Sequence, residues 1–234
     1  MFKTTRGFTL VELVMAVAVG LVILAAVLSA VVAGQRSSAG IERRVTTGQD
    51  ARIALEIMGA EIRMASYNPL YATHLWVDPA NCYPAVDPSR RGIQEATASA
   101  LTIEMDLDPD GLCGSSPNEI IRYAYDRPSQ RITRETVRCA AGSRTSSGAQ
   151  PFLGPIPSNR AVRTLRVVNG AMPLFRYYDG TGAEIVDLPA EARRIRRVEI
   201  ALVVESADAD PRTGEPRRIA FSTSVVPKNH GVQF

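Results

Sequence analysis

The chain has 234 residues, with 27 lysines and arginines against 24 aspartates and glutamates, for a formal net charge of +3. That balance gives no basic footprint, so no nucleic-acid partner is indicated. No internal repeat or low-complexity tract appears, and about 200 residues remain beyond the N-terminal apolar run, enough for one domain with its own core.

The N-terminal stretch organises the rest. A short basic leader (Lys3, Arg6) ends at Gly7, Phe8-Thr9-Leu10-Val11-Glu12 follows, and residues 13–33 are uncharged and mostly apolar. A run of that length can span a bilayer core as a helix. Glu12 is the odd residue, because a carboxylate in a membrane helix is costly and is by default functional. Its partner must be the chain's own beginning or that of another copy. A secretory signal would have an apolar core of about 7–15 residues and a small-residue cleavage site beyond it. This run is too long for that and leaves Glu12 without purpose. A plain single-span anchor accounts for the length but not for the Gly7-Phe8 junction, and a buried helix of a soluble protein fits less well still.

Arg6-Gly7-Phe8-Thr9-Leu10-Val11-Glu12 before a long apolar helix resembles the prepilin signature of type IV pilins and type II secretion pseudopilins. The resemblance covers roughly the first 30 residues. It implies that a prepilin peptidase cuts between Gly7 and Phe8 and N-methylates Phe8. It also implies that Glu12 pairs with the Phe8 amine of a neighbouring subunit during assembly. A buried carboxylate and a buried ammonium then neutralise each other across a subunit interface and set the helix register. Implied partners are other pilins or minor pilins, the peptidase, the inner-membrane assembly platform and the membrane itself. The implied location is the inner membrane as a single-pass precursor with a periplasmic head, then the pilus fibre at the cell surface.

The helix is expected to continue past the membrane. Residues 34–66 lack proline, and Ala51, Ala54, Leu55, Met58, Ile62 and Ala65 form an apolar stripe at helical spacing, with Arg52, Glu56 and Arg63 off it. Asn68-Pro69 ends it, and Gly20, Gly34, Gly40, Gly48 and Gly59 mark points where it would bend. Major pilins usually carry a proline in the apolar run; its absence here favours a minor pilin or a pseudopilin. Ala54-Leu55, followed by Glu61-Ile62-Arg63-Met64-Ala65-Ser66-Tyr67, is similar to the helix exit of PilW-type minor pilins, which usually read Ala-Gly-Tyr where this chain has Ala-Ser-Tyr.

Residues 67–100, with prolines at 69, 79, 84 and 88, read as a long surface excursion pinned by Trp76. Strands are predicted at 100–105, 119–125, 131–137, 164–168, 174–178, 197–205 and 218–226, separated by turns such as Asp126-Arg127-Pro128, Asn169-Gly170 and Asp179-Gly180. Residues 140–150, rich in serine and glycine, read as a loop. The expected fold class is α+β: a long N-terminal helix, membrane-spanning in its first half and amphipathic in its second, on a C-terminal antiparallel sheet. The expected divisions are a leader (1–7), an assembly helix (8–33), its amphipathic continuation (34–66) and a β-rich head (67–234).

Cys82, Cys113 and Cys139 all lie beyond the anchor, on the side a prepilin exposes to an oxidising compartment. The hairpin centred near Pro128 brings Cys113 and Cys139 together, which predicts that pair and leaves Cys82 odd; spacing alone does not fix the connectivity. Asp106-Leu107-Asp108-Pro109-Asp110-Gly111 resembles the start of an EF-hand calcium loop, with Asp106, Asp108 and Asp110 as ligands. Against this, the twelfth loop position is Pro117, and Glu119 comes two residues late; the alternative is a solvated acidic turn. No cofactor is expected beyond that calcium.

His74 and His230 are the only histidines, and no nucleophile-elbow, phosphate-loop or dinucleotide pattern is present, so no catalytic residue and no enzymatic activity are expected. The sequence reads as a minor pilin that helps initiate pilus assembly. The alternatives are a type II secretion pseudopilin of the tip-complex type and a membrane-tethered binding module.

Overall fold

The computed structural model describes Gly7 and residues 9–140, 143–156, 165–188, 191–209 and 213–231, apart from the side chains of 36–46 and 207–208. The chain forms an α+β fold. It divides into two compact units, Met1–Val45 and Thr46–Phe234.

Helix α1 (Leu10–Met64) supplies the first unit and the opening of the second. In the first unit the stretch Leu10–Gln35 has a mean hydropathy of 2.8 and is exposed along its whole length. Such a surface is suited to lipid, where every backbone group is satisfied within the helix. Helix geometry persists through all five glycines at which bending was expected.

In the second unit the helix buries the apolar stripe read from the sequence. Ala51, Ala54, Leu55, Met58, Ile62 and Ala65 are all in the core. Gly59 allows close approach to a strand, since a Cβ there would meet Val225 at 3.4 Å. The helix stops at Met64 because Ser66 takes a left-handed conformation, with φ +65°. Its N–H then leaves the helix ladder for the Glu104 carbonyl, 2.8 Å away.

Among the described residues, ten strands form two antiparallel sheets. The first contains β1 (Ile93–Ala96), β2 (Ala100–Glu104), β3 (Ile120–Asp126), β4 (Arg131–Ala140), β5 (Ser143–Ser146) and β6 (Gln150–Leu153), in the order β1-β2-β3-β4-β5, with β6 on β4. The second contains β7 (Arg166–Val167), β8 (Phe175–Tyr178), β9 (Arg197–Ala209) and β10 (Pro216–Val225). There β9 pairs with β10 along one edge and with β7 and β8 along the other. The α1 stripe and both sheets share one apolar core, to which β9 contributes the alternating residues Val198, Ile200, Leu202 and Val204.

Three strands lie where loops were expected. β1 falls inside the predicted excursion, and β5 and β6 fall in or beside the serine- and glycine-rich segment. The rest of the excursion covers part of the first sheet instead of wandering over solvent. Leu75 is buried with Cys113, Ile120 and Val137, and Trp76, Val77 and Cys139 pack against them.

Candidate functional site

The N-terminus of α1 is built by a reciprocal cap. The Thr9 N–H and hydroxyl both donate to Glu12 Oε2, at 2.9 and 3.0 Å, and the Glu12 N–H donates to Thr9 Oγ1 at 3.2 Å. The Leu13 N–H closes the first turn on the Thr9 carbonyl at 3.1 Å. This is a capping box, which satisfies donors that the helix start would otherwise leave open. Thr9-x-x-Glu12 is its sequence signature, so a structural role for Glu12 was legible beside the charge argument. Gly7 and Glu12 are both exposed. Phe8, the expected methylation site, lies outside the described residues.

The cysteine expectation is corrected. Cys82, not Cys113, is bonded to Cys139, with Cα atoms 5.4 Å apart. Cys113 is a buried free thiol that points at the Met105 carbonyl, 3.8 Å away. The β3–β4 hairpin does bring residue 113 near 139, since the Cys139 N–H donates to the Gly114 carbonyl at 2.7 Å. However, the Cys113 thiol is turned into the small apolar cluster, while the excursion carries Cys82 across to Cys139. Burial, and then the nearby Glu104 and Glu119 carboxylates, push the Cys113 thiol well above its ordinary pKa.

The acidic turn is rearranged too. Asp106, Asp108 and Glu119 bring one carboxylate oxygen each within 4.8 Å of one another. Asp110 is not among them; its Oδ1 accepts the Leu112 N–H at 2.8 Å and closes its own turn. Glu119, two residues beyond the EF-hand position, enters because the loop folds back around it. Glu119 accepts N–H bonds from Leu107, Gly114 and Ser116, at 2.9, 2.9 and 3.0 Å.

Under the excursion lies a cleft of about 430 Å³, lined in part by Asp87, Arg90, Glu95, Arg122, Glu135 and Arg144. Its arginines are each paired with a carboxylate of the lining: Arg122 with Glu95 at 2.8 Å, Arg144 with Glu135 at 3.2 Å and Arg90 with Asp87 at 3.6 Å. Burial works to raise the Glu95 carboxyl, but the Arg122 guanidinium and the Thr102 hydroxyl outweigh it and hold the group below its ordinary pKa. A cleft whose arginines are already answered by carboxylates offers little to an anionic ligand.

Ser66 and His230 stand within hydrogen-bonding distance, yet both are buried, at 5% and 0% exposure. The second imidazole nitrogen faces the Ala192 carbonyl, not a carboxylate. The pair is a packing joint.

Residues 2–28 match the family described as the prokaryotic N-terminal methylation motif. No curated protein matches the chain, and no solved structure does. A family of this kind is structural, and its motif implies dealings with the prepilin peptidase and with other pilins. The match covers the N-terminal motif alone and, with the exposed apolar helix that continues it, gives this chain a type IV pilin-like N-terminus.

Proposed function

We propose that the chain is a minor pilin, cut by prepilin peptidase between Gly7 and Phe8, N-methylated on Phe8 and built into a type IV pilus through α1. The observation that carries this reading is the position of Glu12. It sits in the first turn of a membrane-length apolar helix, with an exposed carboxylate, inside the stretch that matches the methylation motif. In a fibre, the Glu12 carboxylate pairs with the Phe8 amine of the next subunit, so that two charges costly in lipid cancel. Before assembly the precursor is held in the inner membrane by α1, with the C-terminal unit in the periplasm. Help in initiating the fibre, at or near its tip, is the role that the likeness of the helix exit to PilW-type chains suggests.

The absence of proline from residues 13–33 equally suits a type II secretion pseudopilin, whose product is a short periplasmic piston. Deleting the gene and scoring surface pili and secreted proteins together separates the two. Loss of pili with normal secretion supports the minor pilin. Normal pili with exoproteins retained in the periplasm moves the protein to the secretion machine. No change in either result favours a tethered binding module.

A further inference from the structure

We propose that Asp106, Asp108 and Glu119 form a Ca²⁺ site in the β2–β3 loop. The proposal does not depend on the pilin reading. Its first ground is convergence, since the three side chains bring carboxylate oxygens within 4.8 Å of one another. Ca²⁺ takes oxygen ligands at about 2.3–2.6 Å, so a single ion can bridge oxygens at that spacing. Mg²⁺ demands near-octahedral geometry at about 2.0–2.1 Å and keeps several waters, so it is less suited to a site built from three converging protein carboxylates.

The second ground is independent of the first. Asp106 is fully buried, and only one of its oxygens is used: Oδ2 accepts the Gly111 N–H at 3.1 Å. Oδ1 is buried with no hydrogen-bond partner. An anionic oxygen withdrawn from water without a donor is strongly unfavourable, and buried charges are paired or bound to metal. Among the described residues, no arginine or lysine pairs with Asp106, Asp108 or Glu119. A divalent cation supplies the missing charge.

The donor set is entirely hard oxygen, which suits Ca²⁺ over the thiophilic and imidazole-binding metals. The loop is already shaped for it. Three backbone N–H groups hold Glu119 in place, and the Ser116 hydroxyl contacts Asp108. Asp108 is exposed and gives the ion its route in from solvent.

The consequence reaches beyond the loop. The Asp106 N–H donates to the Tyr67 carbonyl, just past the end of α1, and the Gly114 carbonyl accepts from the disulfide-bonded Cys139. Bound Ca²⁺ therefore tightens the joint between helix exit, first sheet and disulfide.

The test is calorimetric titration of the full-length chain in detergent micelles with CaCl₂ after EGTA treatment, together with thermal unfolding. The expected result is one saturable site, with Kd on the order of 10⁻⁴–10⁻³ M, and a rise in Tm with Ca²⁺. D106N and D108N should each weaken binding by at least about tenfold. D108N alters an exposed side chain, so it should keep its fold without calcium. D110N should bind as the parent does. Absence of saturable heat and of any Tm change up to about 10 mM Ca²⁺ would overturn the site. So would parent-like binding by D108N, or an equal response to MgCl₂.

Discussion

The Ser66 hydroxyl lies 2.8 Å from Nδ1 of His230, joining the end of α1 to a residue 164 positions away near the C-terminus. Burial holds the imidazole below its ordinary pKa, so it is neutral at pH 7. Nε2 lies 2.8 Å from the Ala192 carbonyl, and Nδ1 faces both the Ser66 hydroxyl and, at 3.2 Å, the Arg91 carbonyl. The Arg91 carbonyl contacts the same hydroxyl. These contacts explain why a serine is tolerated at φ +65°, a region costing an L-residue about 1–2 kcal/mol and usually left to glycine.

Substitutions at Ser66 should separate the backbone cost from the side-chain gain. Ser66→Ala keeps the left-handed cost and removes the hydroxyl that bridges the Arg91 carbonyl and His230 Nδ1, a loss of about 1–3 kcal/mol. Ser66→Gly loses the same bond but removes the backbone cost, so it should be less harmful by about 1 kcal/mol. Denaturant unfolding of the full-length chain in detergent reads both. Equal destabilisation by the two would show that the left-handed backbone carries no cost here.

Acid should weaken the same joint. The folded His230 pKa lies below the ordinary 6.5, so below about that pH the unfolded chain binds a proton that the folded chain refuses. Stability from this group is therefore present above pH 6.5 and lost as the pH falls. A His230→Gln variant should show a shallower loss of stability between pH 7 and 5 than the parent. A parallel decline in both proteins would assign the acid sensitivity to other groups.

Glu104 should produce the opposite slope. Its side chain is fully buried at the end of β2, and burial pushes its pKa up to about 8 against the pull of the Gln94 amide and the Val77 N–H. Gln94 Nε2 donates to Oε2 at 2.8 Å, while Oε1 has no partner. Between the ordinary value of 4.5 and about 8, the folded chain holds a proton that the unfolded chain has released. Stability thus falls as the pH rises through that window. Glu104→Gln keeps the acceptor for Gln94 and cannot ionise. At pH 8 it should exceed the parent in stability by on the order of 3 kcal/mol, and the difference should shrink toward zero at pH 5. A pH-independent difference would show that Glu104 does not titrate in this way.

The disulfide gives a chemical prediction. The Cys82–Cys139 bond closes a loop with a sequence separation of 57, for which chain-entropy reasoning gives about 4 kcal/mol of stabilisation. Cys82→Ser and Cys139→Ser should each cost about that much, whereas Cys113→Ser should cost much less. Under non-reducing conditions the native chain should show no thiol reactive toward a bulky maleimide, because Cys113 is buried. Denaturation without reductant should expose one, at Cys113. Finding the label on Cys82 would restore the Cys113–Cys139 pairing expected from the sequence.

These features differ in how far they could be read in advance. The α1 stripe was legible because helical periodicity is local, and β9 because one of its faces is buried and its residues alternate accordingly. β5 reads Ser-Arg-Thr-Ser and has no buried residue; it exists by pairing with the end of β4. β1 shows the burial pattern of a short edge strand, without the alternation that would announce it. The path of the excursion, which decides the partner of Cys139, is set by packing on the first sheet. Likewise Glu119 joins Asp106 and Asp108 through a loop that turns back on itself, which spacing along the chain cannot reveal. At the N-terminus the motif gave the residues, while the cap joining two of them was visible but overshadowed by the charge of Glu12.

That cap allows the two roles of Glu12 to be separated. If Glu12 serves only to start the helix, then Thr9→Ala, which removes the hydroxyl from the box, should harm the protein as much as Glu12→Ala. If its charge is what a neighbouring subunit needs, Glu12→Gln should fail as well, although its side-chain oxygen can still accept from Thr9. The pilin reading predicts the second pattern. Glu12→Ala and Glu12→Gln should both abolish incorporation into fibres, and Thr9→Ala should retain most of it. Loss of residues 1–7 from all three variants, read by mass, would show that they still reach the peptidase. Sheared pilus fractions probed for the chain give the count, and efficient incorporation of Glu12→Gln would remove charge pairing as the basis of assembly.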